Sequence, residues 1–282
     1  MRTTSNPAFR NLPTSAAGAP YAGFDQPPYS GPYGGQPGYG PTTPYGAPQA
    51  HTGAADRPMT VDDVVMKTGA SLGVTLLVGV ITAIWAQAQV AAGSTGAITG
   101  ALIGGMLVGL VLSLIIIFKQ MASGPMTLAY SAAEGVFLGA ISGIFELVYP
   151  GIALQAILGT AAVFVVMLVV YKTGAVKVTP KLQKWVIGAL GGALVLLLLN
   201  LVLSLFGINM GLRDGGMLAI GFSLLMIGIA AFSFLLDFDM ADEAIRRGVP
   251  AKFAWYVAFG LMVTLVWLYL EVLRLLSYLQ NE

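Results

Sequence analysis

Between residues 68 and 276 the sequence holds seven runs of about 20 predominantly apolar residues, each long enough to cross the hydrocarbon core of a bilayer as a helix. Lipid offers no partner to a backbone N–H or C=O, so a chain of this kind must satisfy those groups within each segment, which selects helices. The runs cover approximately 68–89, 97–118, 126–148, 151–171, 185–206, 216–237 and 253–276. The expected fold class is therefore all-α: a polytopic membrane helical bundle of about seven transmembrane helices. The weakest division separates the third and fourth runs, where only Tyr149, Pro150 and Gly151 intervene. Composition agrees, since 10% of the residues are charged against about 25% in a soluble domain.

Ahead of the first run lies a segment of a different kind. From Pro13 to Pro58 the chain is dominated by Pro, Gly, Ala, Thr and Tyr, as in Gln26-Pro27-Pro28-Tyr29-Ser30-Gly31-Pro32-Tyr33-Gly34-Gly35. Too little apolar surface is available there to offset the entropy of ordering, so residues 1–65 are expected to form a disordered Pro/Gly/Tyr-rich tail and residues 66–279 the seven-helix domain. Tyr21, Tyr29, Tyr33, Tyr39 and Tyr45 recur among the prolines, a pattern that fits either a ligand for a proline-recognising domain or a plain low-complexity tail. The first apolar run begins near Lys67, too late for a secretory signal peptide.

Charge orients the spans. Arg2, Arg10, Arg57, Lys67, Lys119, Lys172, Lys177, Lys181, Lys184, Arg246, Arg247 and Lys252 all fall in segments on one side, whereas Arg213 and Arg274 fall on the other. Lys and Arg are retained in the cytoplasm, so the expected arrangement is a multi-pass protein of the plasma membrane with its N-terminus cytoplasmic and its C-terminus outside. A net charge of +1 leaves no field for nucleic acid. The expected partners are the lipid bilayer and proteins reached through the tail.

Several chemistries are excluded by residue type. The chain has no cysteine, and its single histidine, His51, lies in the tail, so thiolate and imidazole sites within the bundle are ruled out. There is no HExxH, no paired nucleophile and base, and no Gly-rich phosphate loop. No enzymatic activity and no cofactor are expected.

Small residues punctuate the helices. Gly105 and Gly109 in the second run and Gly135, Gly139 and Gly143 in the third have the four-residue spacing that lets helix backbones approach closely, within one chain or between two.

The remaining chemistry lies in carboxylates within or beside the spans, which are costly there and are functional candidates by default. Glu134 is in the inner half of the third run; Asp237 and Asp239 close the sixth, followed by Asp242 and Glu243; Glu146 ends the third; Glu271 lies far along the seventh. Depth groups Glu134 with Asp237 and Asp239 near the inner face, and Glu146 with Glu271 near the outer one. Residues two apart on a helix point in nearly opposite directions, so Asp237 and Asp239 cannot both face the bundle. The run Ser233-Phe-Leu-Leu-Asp237 favours Asp237 as the inward one. Carboxylates held together in a low-dielectric bundle repel, and one of them then holds its proton near neutral pH; ionised, they are hard ligands suited to Ca²⁺. The competing readings are a solvated helix end for Asp237 and Asp239, beside Arg246 and Arg247, and a pair with Arg274 for Glu271.

Three stretches resemble the Bax inhibitor-type family of seven-helix membrane proteins, in an actinobacterial-like branch with a Pro/Gly-rich N-terminal extension. They are Met126-Thr-Leu-Ala-Tyr130-Ser-Ala-Ala-Glu134-Gly135-Val-Phe-Leu-Gly139, Leu236-Asp237-Phe238-Asp239, and Ala258-Phe-Gly-Leu-Met-Val-Thr264 through Leu273-Arg274-Leu275-Leu276. The resemblance spans about residues 66–279. It implies a pH-sensitive Ca²⁺ leak in which an aspartate of the sixth helix and one of the seventh form a hydrogen-bonded latch. The first corresponds to Asp237. The second falls on Thr264 or on Glu271, depending on which end of the closing helix is matched. The expected function is thus cation binding or leak gated by intramembrane carboxylates, with Asp237, Glu134, Asp239, Thr264 and Glu271 as ion-binding or pH-sensing candidates and with Ca²⁺, permeant or bound, near Asp237. The alternative is a non-transporting membrane regulator that docks a membrane protease or an envelope complex.

Overall fold

The computed structural model describes residues 57–208 and 210–280. The tail tyrosines and His51 lie outside them. Seven helices follow one another: α1 (Val61–Ala91), α2 (Thr95–Lys119), α3 (Gly124–Val148), α4 (Ile152–Thr173), α5 (Pro180–Leu205), α6 (Met217–Arg246) and α7 (Ala254–Leu279). Each is long and apolar enough to cross a membrane, and the chain is a seven-helix membrane protein. The third and fourth spans are separate helices. Gly151, at φ 86°, makes the turn, and the Glu146 carboxylate stops the free N–H groups of α4 by accepting from Gly151 N at 2.6 Å and Ala153 N at 3.1 Å.

Two helices outrun their apolar cores. α1 starts at Val61 rather than near residue 68, because Thr60 and Asp63 form a reciprocal capping box. Asp63 Oδ2 accepts from Thr60 N at 3.0 Å, and the Arg57 guanidinium grips the same carboxylate at 2.7 and 2.8 Å. The folded domain accordingly begins before the expected boundary at residue 66. Met59 N donates to Val249 O at 2.8 Å and Ala251 N to Arg57 O at 2.7 Å, so the segment entering α1 is paired with the connection between α6 and α7, and Met59 is 2% exposed. α6 continues nine residues past Asp237 on ion pairs one turn apart, Arg246 with Asp242 at 3.2 Å and Arg247 with Glu243 at 2.7 Å. Replacing Thr60 by Ala removes the side-chain acceptor and is expected to cost about 0.5–2 kcal/mol at this end. Faster amide exchange over the first turn of α1, with α4 unchanged, is the result to look for.

α7 is the axis of the bundle. Ala258, Met262, Leu268 and Leu273 are buried along its length, and it packs against α1, α3, α4 and α6. α5 leans chiefly on α6, whereas α2 is held by α3 and α1. Association of helices in lipid depends on close packing, because the surrounding chains are as apolar as the side chains. The tightest seam is that of α3 on α1. A Cβ on Gly135 would lie 2.9 Å from Thr75 O, one on Gly143 2.7 Å from Ala83 O, and one on Gly139 would overlap the Gly79 carbonyl. The glycines of α2 serve a second seam within the chain, Gly105 against the Phe137 backbone at 2.8 Å and Gly109 against the Glu134 carboxyl at 2.9 Å. By contrast, Gly188, Gly191 and Gly192 of α5 have open space before them.

Candidate functional site

Near the middle of α7, the Thr264 hydroxyl donates to Asp237 Oδ2 of α6 at 2.6 Å. Thr264 is buried and Asp237 half-buried. The pair meets because α6 and α7 are closely packed neighbours. On the adjoining face of α6, Phe234 and Phe238 pack against Phe164 of α4 with ring centroids 5.3 and 5.5 Å apart, which keeps apolar side chains on both sides of Asp237.

Asp239 lies elsewhere. It acts electrostatically on Tyr171 of α4, whose hydroxyl donates to Asp242 at 3.4 Å. The two aspartates thus address different helices, α7 and α4, as their two-residue spacing requires. Glu134 is placed between α3 and α2: Gly109 makes room for its carboxyl, and Tyr130, one turn back on α3, is its polar neighbour. The inner grouping expected from depth is not formed, and among the described residues no three His, Cys, Asp or Glu side chains converge as a metal ion would need. Depth along a helix fixes the height of a side chain but not its azimuth, and the rotation of α3 turns Glu134 toward α2.

The outer grouping also resolves into separate partners. Glu146 caps α4. Glu271 is 2% exposed and accepts from Arg274 at 2.8 Å and from Arg213, in the connection between α5 and α6, at 3.4 Å. Arg274 was legible from its position one turn away; Arg213, 58 residues distant, carried no signal. Another pair was missed, Ser142 of α3 with Tyr269 of α7, whose hydroxyls are 2.6 Å apart. Asn200, which reads as a group bonding between helices, accepts from Met210 N at 3.4 Å and so stabilises the connection after α5.

A family described as Bax inhibitor 1 like matches residues 6–281. The chain belongs to the Bax inhibitor 1 like family. No curated protein and no solved structure matches it. For a Bax inhibitor 1 like protein, two candidates shared the place of the second latch residue. In this chain the side chain that meets Asp237 is the Thr264 hydroxyl, while Glu271 is engaged with two guanidinium groups. A carboxyl–hydroxyl pair differs chemically from a carboxyl–carboxyl pair. Two carboxyls bond only by sharing a proton, whereas a threonine hydroxyl donates to the ionised aspartate and can accept from the protonated one.

Proposed function

We propose that this Bax inhibitor 1 like protein is a non-enzymatic cation leak in which the charge state of Asp237 sets the coupling between α6 and α7. The observation that carries the reading is the 2.6 Å bond from Thr264 to a half-buried carboxylate between two helices at the core of the bundle. A charge-assisted bond to an ionised carboxylate is roughly twice as strong as a neutral one, so protonation of Asp237 loosens the α6–α7 contact without abolishing it. Ca²⁺ is the ion implied by family resemblance. Asp237 acts on it as a gate and a transient ligand rather than as part of a resident Ca²⁺ cage. Glu134, with its own tyrosine partner, supports the reading as a second proton-binding carboxyl between α2 and α3. Asp239 and Glu271 are assigned to the water-facing end of α6 and to the clamp on the Arg213 connection. The N-terminus is placed in the cytoplasm and the C-terminus outside the plasma membrane, on the distribution of twelve basic residues against two.

The test is flux into vesicles loaded with a Ca²⁺ dye. The wild-type protein is expected to leak with a pH dependence across about pH 6 to 8, the range where a carboxyl shielded from water can titrate, and Asp237→Asn, locked uncharged, is expected to leak at a rate that keeps only the weaker pH dependence Glu134 supplies. Thr264→Val, which removes the donor, should move the rate toward that of Asp237→Asn by several-fold. Flux equal to that of empty vesicles at every pH would overturn the leak.

One observation favours a second reading, that of a regulator docking a membrane protease or an envelope complex. The last residues of the tail, Arg57 to Met59, are paired with the α6–α7 connection, so a protein that holds the tail pulls on the same two helices. Truncation at residue 55 leaves Arg57 and the cap of α1 in place. Under this reading it abolishes partner capture and leaves flux at the wild-type level.

A further inference from the structure

A cavity of about 290 Å³ lies between α1 and α4, with α3 and α7 behind it. α1 and α4 scarcely touch, so the cavity opens sideways between them. Val80 and Ala83 of α1 form one edge, Ile157 and Ala161 of α4 the other, and Leu138 and Leu265 the floor. Val80 and Ala161 are exposed on the surface that hydrocarbon covers.

The few polar groups in the wall are already engaged. Thr75 donates to Ser131 O at 3.0 Å, Thr160 to Ala156 O at 2.8 Å, and Ser142 is bonded to Tyr269 at 2.6 Å. A water molecule needs two to four polar partners to stay in a cavity, and an apolar cavity without them takes apolar guests. The volume is at the lower limit of ligand pockets, about 300 Å³. A helix of a second copy, about 10 Å across, is too wide for it. The tail joins the bundle at Arg57, beside Ala251, whereas the cavity reaches Ala153 and Tyr269 near the opposite end. The guest that fits the opening and the chemistry is a single hydrocarbon chain.

We propose that this lateral cavity binds one acyl chain of a bilayer lipid, inserted between α1 and α4. The site is independent of the ion leak. It adjoins the helices of the Asp237 pair, because Phe164 and Leu265 line the cavity and Phe164 also packs on Phe234 and Phe238.

The test uses the full chain in vesicles of phosphatidylethanolamine and phosphatidylglycerol, doped with a phospholipid carrying a photoreactive diazirine midway along one acyl chain. Labelled peptides are mapped by mass spectrometry. Labelling is expected to concentrate on residues 79–83 and 157–161, several-fold above the equally lipid-facing stretch 194–202 of α5. Ala161→Phe, which fills the opening, should lower the label on 79–83 several-fold, while Val165→Phe, on the lipid-facing surface outside the cavity, leaves it unchanged. Labelling that merely follows lipid exposure along every helix overturns the proposal, as does a cavity label that Ala161→Phe does not reduce. Should Ala161→Phe fail to fold, the wild-type ratio between the cavity stretches and α5 decides alone.

Discussion

Gly139→Leu is expected to eliminate the folded protein. The position faces the α1 backbone so closely that even a methyl group would overlap the Gly79 carbonyl, and Gly135 and Gly143 offer no slack on either side, with Thr75 O and Ala83 O at 2.9 and 2.7 Å from the Cβ positions. Both atoms met are backbone, so no rotamer change relieves the contact; α1 has to move. Overpacking of a well-packed core costs about 1–3 kcal/mol for added methylenes, and Gly139→Ala alone is expected to cost that much. The leucine needs the α1–α3 seam to open along its length, which removes the van der Waals contact that holds helices together in lipid. Thermal unfolding in detergent, with size-exclusion profiles, provides the measurement. Gly100→Ala is the control, since nothing lies within 4 Å of its Cβ position; its melting temperature should match the wild type or exceed it slightly. A Gly139→Leu protein that elutes as a monomer and melts at the wild-type temperature would refute this account of the seam.

The second large effect is expected from Glu271→Ala. Removing this carboxylate leaves Arg213 and Arg274 at the end of α7 without the acceptor that bridges them. Breaking a buried ion pair by deleting one partner costs about 3–5 kcal/mol, and the lower end applies here because the side chains of Arg213 and Arg274 are 28% and 29% exposed. The damage should be local to the connection before α6, which this carboxylate ties to α7 with help from the Tyr278 hydroxyl, donating to Arg213 O at 3.1 Å. Glu271→Gln keeps an acceptor for the guanidinium groups and is expected to lose less. Protease cleavage after Arg213 distinguishes the cases: rapid in Glu271→Ala, slower in Glu271→Gln, slowest in the wild type. Equal cleavage rates in all three would show that the clamp does not hold the connection.

These two positions differ in how far the sequence announces them. The spacing of Gly135, Gly139 and Gly143 is a pattern within one helix, so a close-packed seam could be read directly, but its partner could not: α1 and not α2 or a second copy receives it. Glu271 announced one of its partners, Arg274, through helical periodicity, and concealed the other in a connection 58 residues away. The same limit applies to the carboxylates. Helix geometry alone puts Asp237 and Asp239 on different faces, whereas Glu134, grouped with them by depth, faces α2.

From the sequence alone came the number of spans, their approximate limits, the bias of basic residues to one side and the short inventory of intramembrane carboxylates. Each of these is a sum over neighbouring residues, and the cost of placing charge or an unpaired backbone in hydrocarbon enforces it wherever the helices pack. Tertiary structure alone decided that Thr264 rather than Glu271 meets Asp237, that Arg213 closes on Glu271, and that a gap remains between α1 and α4. Those outcomes depend on which helices become neighbours and on the rotation of each about its axis, and both are set by side-chain interlocking summed over the whole bundle rather than by any local run of residues.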